Sequence, residues 1–311
     1  MISTGTGIPR AVPVPRTLPG RLMTGLTRRE ALSGTAALIA ATALPAVAHG
    51  RVRFGANRGE WNRFTTAIPE AGIVRVWYDT TIPTTWPARA LLPGGGPAPV
   101  VLSIRPWPQA LFAGRLDRQI EALIRSAPRG SKMSAWHENI PGNPLGYPPE
   151  VNNPRVMRRV HAYLHAKCVG THVRYGSIIC GPADQMPQWI GEGLDWYGVD
   201  WYDNPRYWRK DGTIDPALVL HRGHANLATW QKLSGLAHPP VLICESNSPF
   251  DWHRKHWFTL QAQFMSENNG HSICTFWKAR HGRRQGGLSG PWPPSRPVIR
   301  RLRYLASTEN V

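Results

Sequence analysis

Leu194-Asp195-Trp196-Tyr197-Gly198-Val199-Asp200-Trp201-Tyr202 reads as a buried β-strand, rich in aromatic and β-branched residues. Asp215–Ser234 follows as a long helix, with Asp215 as its N-cap and Pro216 at its first position. Val241-Leu242-Ile243-Cys244-Glu245 then returns to an apolar strand. Strand, crossover helix and strand make one βαβ unit, and the same rhythm runs along the chain. Further strands are expected at Arg51–Ala56, Ile73–Tyr78, Pro99–Arg105, Lys132–Glu138, Val173–Cys180 and Ser272–Trp277. Helices are expected at Glu60–Ile68, Leu116–Ser126, Asn153–Val169, Asp251–Asn268 and Val298–Leu305. A short one is expected at Gln185–Glu192, and the Pro/Gly-rich segment Pro83–Pro99 stands where another helix would come. Eight β runs, mostly alternating with helices over about 260 residues, give the size and rhythm of an α/β fold of the (β/α)8 (TIM) barrel type. An open doubly wound sheet would normally carry G-x-G-x-x-G after its first strand, where this chain has Phe54-Gly55-Ala56-Asn57.

The first 48 residues do not fit that rhythm. Thr27-Arg28-Arg29-Glu30-Ala31-Leu32 leads into the apolar run Ala36–Leu44, and Ala46-Val47-Ala48 is an A-x-A cleavage box. The Arg pair resembles a twin-arginine export signal, although Ala31 stands where such signals usually carry Phe. Residues 1–48 are therefore expected to be a signal peptide cut near Ala48, with residues 49–311 as one catalytic domain that is secreted. Removing Arg10, Arg16, Arg21, Arg28, Arg29 and Glu30 takes the net charge from +18 to +14. Outside the cytosol so basic a chain does not imply nucleic acid as a partner. No later stretch is long and apolar enough to span a bilayer, so stable membrane insertion after cleavage is not expected. A monomer is expected. The four cysteines form no C-x-x-C pair, which excludes a cysteine-built zinc ribbon.

In a barrel of this kind function sits at the C-terminal ends of the strands. Those ends carry Trp77, Tyr78 and Asp79; Arg105 and Trp107; Trp136, His137, Glu138 and Asn139; Asp200, Trp201, Tyr202 and Asp203; Glu245, Ser246 and Asn247; and Trp277 with Lys278. Indole rings and acids at one rim suit a sugar site, because pyranose C–H faces stack on aromatic planes while acids and amides take hydroxyls. The chain has 14 Trp, and an excess of that size fits such a floor. Glu138 and Glu245 end the fourth and seventh strands, which face each other across an eight-strand ring. A retaining glycosidase needs two carboxyls about 5–5.5 Å apart. Asp200 and Asp203 are alternative cation ligands, but the chain has no H-E-x-x-H and no tight Asp/His cluster, so neither metal nor cofactor is expected. Cys244 and Cys274 are expected outside the barrel wall, facing the helices, as a disulfide or as buried thiols.

A glutamate ending strand four and another ending strand seven resembles the clan of retaining (β/α)8 glycoside hydrolases. His137-Glu138 is similar to glycoside hydrolase family 26, the β-mannanase family. Asp195-Trp196-Tyr197-Gly198-Val199-Asp200-Trp201-Tyr202-Asp203 looks like that family's strand-six segment. The resemblance spans about residues 52–306. It implies Glu138 as acid/base with a raised pKa, Glu245 as nucleophile with an ordinary one, and Tyr202 as a hydrogen-bond donor to Glu245. It implies His137 as a positioner of Glu138 or a sugar ligand, and Trp77, Trp136, Trp201 and Trp277 as platforms. Arg105 and Asp203 are further substrate-binding candidates, Arg105 with the option of pairing with a rim acid. Two departures bear on the sugar: Ser134 stands where the family has Arg, and Asn139-Ile140-Pro141-Gly142 replaces a shorter segment. The expected partner is a β-linked polysaccharide or oligosaccharide, β-mannan or a related β-glycan. The alternative is a non-catalytic carbohydrate-binding barrel at the cell wall.

Overall fold

Eight parallel strands close on themselves in the computed structural model, each pairing with its neighbours in chain order and β8 with β1. The structure describes residues 52–78, 81–86, 91–92, 94–138, 147–268, 270–275 and 294–307. The strands are β1 (Arg53–Asn57), β2 (Ile73–Trp77), β3 (Val100–Ile104), β4 (Lys132–Ala135), β5 (Arg174–Cys180), β6 (Trp196–Asp200), β7 (Val241–Ser246) and β8 (Gly270–Thr275). The helices among the described residues are α1 (Trp61–Ala67), α2 (Pro108–Phe112), α3 (Asp117–Arg125), α4 (Pro154–Cys168), α5 (Pro216–Ser234), α6 (Asp251–Glu267) and α7 (Arg296–Ser307). The leader at residues 1–48, Asp79, Asn139–Gly142, Trp277 and Lys278 lie outside the described residues.

Local chemistry sets the element boundaries. Asn153 caps α4 by accepting from the Arg155 and Val156 N–H groups, with Pro154 in the first turn. Asp215 caps α5 in the same way, and Gly235 ends it with φ 71°, which favours glycine. The short helix expected at Gln185–Glu192 is instead two 3-10 turns, Ala183–Gln185 and Pro187–Trp189. Pro187 has no N–H to donate and disfavours helical geometry at Met186, so no α-helix can run through the segment. The fourth strand also stops earlier than expected, at Ala135. Trp136 and Glu138 then take φ 47° and 58°, in the left-handed region that side-chain-bearing residues rarely occupy.

Alternation along the strands divides the interior in two. Phe54, Val74, Leu102, Met133, Val199 and Ile243 face outward and pack into the main core under the helices. Ile73, Val101, Ile178, Trp196, Leu242, Cys244 and Cys274 form a separate apolar cluster inside the barrel. Trp196 is the largest side chain of this cluster, its Nε1 donating to the Arg174 carbonyl at 3.0 Å. Gly176 and Gly198 make the room: a Cβ on Gly176 would collide with the Trp196 indole, and one on Gly198 would lie 2.6 Å from Cys244 Sγ.

Cys244 and Cys274 thus lie inside the barrel, not outside it, and both are free thiols. The expectation assumed unbroken alternation down from the mouth. Opposite β7, Val199 pairs with Ile243 but Asp200 pairs with Glu245. That bulge inserts one residue, so Cys244 and Glu245, though adjacent in sequence, both serve the interior side.

The plug gives a direct stability test. Gly176→Ala is expected to destabilise the protein by about 3 kcal/mol and Gly198→Ala by about 1–3 kcal/mol, read as a lower denaturant midpoint in equilibrium unfolding.

Candidate active site

The β7 bulge delivers Glu245 to the mouth of the barrel, where it is buried. Tyr202, two residues beyond β6, donates its hydroxyl to Glu245 Oε2 at 2.8 Å. Arg75, projecting inward from the middle of β2, places Nη2 3.6 Å from Glu245 Oε1. Its other terminal nitrogen, Nη1, donates to the carbonyls of Val76 at 2.8 Å and Val101 at 3.3 Å. Glu138 reaches the same point from the turn after β4, and Asp200 from the end of β6. One carboxyl oxygen from each of Glu138, Asp200 and Glu245 lies within 4.8 Å of the others.

Three acids in so small a volume cannot all be ionised. Burial raises the Glu245 pKa to about 7; Arg75 pulls against this and Glu138 adds to it. Burial holds Asp200 well above the carboxylate range, and the Glu245 and Glu138 charges push it further. Apart from a weak approach of the Glu245 backbone N–H, neither Asp200 oxygen has a hydrogen-bond partner. Burial also raises Glu138, opposed by the Cys180 thiol within hydrogen-bond reach and by Arg75 and Arg105. The division expected from the sequence, a raised acid beside an ordinary nucleophile, is therefore absent in the ligand-free site: burial raises both glutamates. His137 is held neutral, by burial first and then by Arg75 and Arg105.

The turn carrying Glu138 is held by side chains. Arg105 donates to the Tyr147 hydroxyl at 2.8 Å and its guanidinium lies 4.6 Å over the Tyr147 ring. Tyr147 in turn donates to the His137 carbonyl at 2.7 Å. Arg105 thus braces the turn, a role not expected from the sequence. The His137 ring lies 6.2 Å from Trp77, which is half-buried beside Arg75 and available as a platform.

Three other expected substrate contacts are placed elsewhere. Trp136 is 2% exposed, donates to the Pro106 carbonyl at 3.0 Å and packs edge-on against Tyr147. Trp201 is 3% exposed, donates to the Tyr207 hydroxyl at 3.2 Å and packs edge-on against Trp257 and Phe264. Rings so enclosed are core, with no face left for a sugar. Asp203, fully buried, accepts from Trp208 Nε1 at 2.7 Å, Ser248 Oγ at 2.7 Å and His253 Nδ1 at 2.9 Å. It ties the segment after β6 to α6. Trp277, the remaining platform candidate, lies outside the described residues.

The sequence reading did not take up Arg75 or Tyr147 as site residues, and took Asp200 only as a strand-end acid and an alternative cation ligand. A lone charge in the middle of the apolar run Ile73–Tyr78 was the available signal for Arg75. It also missed an aromatic pair near the seventh strand end, Phe250 stacked on Trp252 at 4.5 Å, with Trp252 71% exposed.

Glu138, Asp200 and Glu245 are the one group among the described residues with the spacing to hold a metal ion. Oxygen ligands of this kind suit a hard divalent cation. Arg75 already supplies positive charge at Glu245.

Among the described residues no helix is long and apolar enough to cross a membrane. No protein-family model matches the chain, and no curated protein matches its sequence. Solved structures do match. A GH5-4 broad specificity endoglucanase from Ruminococcus flavefaciens aligns with TM-score 0.53 at 11% identity, over 82% of this chain and 96% of that one. A GH26 β-mannanase from Bacteroides ovatus aligns with TM-score 0.50 at 11% identity, over 84% and 89%. A GH5 xyloglucan-specific endo-β-1,4-glucanase from a metagenomic library, solved with cellotriose, aligns with TM-score 0.50 at 10% identity, over 82% and 97%. At these identities the likeness establishes the fold, and the chain has the (β/α)8 barrel of these glycoside hydrolases.

Proposed function

We propose that the protein is an exported retaining glycoside hydrolase acting on a β-linked polysaccharide, β-mannan or a related β-glycan. The observation that carries this reading is the carboxyl pair Glu138 and Glu245. Their oxygens lie within 4.8 Å across the barrel mouth, with the Tyr202 hydroxyl on Glu245. That proximity lies nearer the retaining arrangement of about 5–5.5 Å than the roughly 6.5–9.5 Å of inverting enzymes.

Each residue then has a defined step. Glu245 as carboxylate attacks the anomeric carbon while protonated Glu138 gives its proton to the departing glycosidic oxygen. The bond to the leaving sugar breaks as the Glu245–sugar ester forms. Glu138, now a carboxylate, takes a proton from water, whose oxygen attacks the same carbon and frees Glu245. Tyr202 orients Glu245 and favours its charged form. Nδ1 of His137, buried without a hydrogen-bond partner, is a group for a substrate hydroxyl, while Arg75 holds its charge beside Glu245. Trp77 supports a sugar face, and the exposed Trp252 on Phe250 offers a second platform toward the rim. Residues 1–48 act as a twin-arginine-type leader.

Glu245→Gln is expected to lower hydrolysis of β-mannan or of the β-glucan and xylan tested beside it by about 10⁴-fold or more. The parent product is expected to keep its anomeric configuration by NMR. An inverted product, or full activity in Glu245→Gln, defeats the assignment. Oligosaccharide binding by a parent without turnover would identify a binding barrel instead. For pH, kcat/KM should rise as Glu245 loses its proton, with a midpoint near 7. Tyr202→Phe removes a hydrogen bond that favours the charged form, so the rising limb should move to higher pH. For export, a reporter fused behind residues 1–48 should leave the cytoplasm, and Arg28→Lys with Arg29→Lys should hold it back.

A further inference from the structure

A large cavity lies at the other end of the barrel from the carboxyls. It has a volume of about 1110 Å³, a size ample for a small ligand. Gly72, Pro99, Gly130 and Pro240 line it, each one or two residues before its strand, so it opens at the N-terminal pole. Its charged lining is Arg53, Arg129 and Glu70, with His271 beside them.

Behind His271 stands Lys132, the first residue of β4, directed into the barrel and only 6% exposed. Its Nζ lies 3.1 Å from His271 Nε2. An ammonium can only donate, so His271 Nε2 must accept and the ring proton must sit on Nδ1. That Nδ1–H is buried without an acceptor. Burial and the neighbouring Lys132 and Arg53 push the His271 pKa down to about 3, so the ring stays neutral. Lys132 is itself pushed down to about 8, by burial and then by Arg53, with only the thiols of Cys244 and Cys274 opposing. Among the described residues no carboxylate pairs with it. An ammonium, a guanidinium and an imidazole N–H therefore converge beside the cavity, and among the described residues no carboxylate forms an ion pair with Lys132 or Arg53. Glu70 adds one carboxyl oxygen that is buried and also without a partner.

We infer that the N-terminal pole of the barrel is a binding site for a phosphate group that carries at least one hydroxyl. Arg53 and the His271 Nδ1–H take its charged oxygens, the Lys132 ammonium behind His271 adds its charge, and Glu70 accepts from its hydroxyl. The set matches phosphate because a monoanionic or dianionic phosphate both accepts and donates, whereas sulfate at neutral pH has no proton to give Glu70. Free phosphate and the phosphomonoester of a small polyol both present this chemistry.

Calorimetric titration of the full chain at constant ionic strength tests the site, with inorganic phosphate in one arm and glycerol 3-phosphate in the other. Saturable binding is expected in at least one arm, and the arm that binds identifies the source as free phosphate or a phosphorylated polyol. Lys132→Met should weaken it by about tenfold or more, as loss of a nearby buried positive charge does. Lys132→Met should fold, since an apolar side chain replaces an unpaired buried charge. Arg53→Gln, at an exposed position, provides a second variant that does not disturb the barrel interior, and it should also weaken binding. Sulfate should bind more weakly than phosphate. Absence of saturable binding with both probes, equal binding by the parent and both variants, or sulfate binding as tight as phosphate overturns the inference.

Discussion

A guanidinium without any exposure to water governs the mouth of this barrel. Arg75 stands inside the β-wall with two backbone carbonyls fixing one of its nitrogens and Glu245 facing another. Burial works against its charge, and Glu245 and Asp200 more than offset that. One fixed positive charge lets three acids share a dry site, because it stabilises one carboxylate while burial keeps the remaining protons on. Without it, Glu245 would hold its proton more tightly and a nucleophilic carboxylate would be harder to form at neutral pH. The chemistry proposed for Glu138 and Glu245 therefore depends on a residue that touches neither the leaving group nor water.

The second constraint is backbone geometry. Glu138 does not stand on a strand but on a turn with left-handed residues on both sides of His137. Such a turn costs about 1–3 kcal/mol per strained residue and persists only where surrounding contacts hold it. Arg105, Tyr147 and the Trp136 indole supply those contacts. Strain and support coincide at the residue whose position matters most.

The barrel itself was legible because hydrophobic period and turn residues repeat eight times, so no single misread element could hide the pattern. The Glu138, Glu245 and Tyr202 cluster was legible for a related reason: strand ends four, six and seven converge once the ring closes. Burial was not legible. Trp136 and Trp201 occupy the same kind of position as Trp77, yet only Trp77 keeps an open side. What separates them is tertiary packing by Tyr147, Trp257 and Phe264, which arrive from distant segments. Asp203 looked like a rim acid because its three donors, on Trp208, Ser248 and His253, are spread over some fifty residues. Cys244 was misplaced because one bulge breaks the parity on which inward and outward assignments rest, and Cys274 because its side was counted from Trp277, which lies outside the described residues. Arg75 was overlooked because a charge inside a barrel is normally too costly to expect.

The Trp196 plug has a consequence beyond stability. A tube of eight strands could in principle conduct protons or water from one end to the other. Here an indole seated on Gly176 and Gly198, with Cys244, Cys274, Ile73 and Val101 around it, blocks the bore. The acids at one pole and the bases at the other hang from the same strands with this plug between them. A molecule that enters at one opening cannot pass through to the other, so each pole meets only what arrives from its own side.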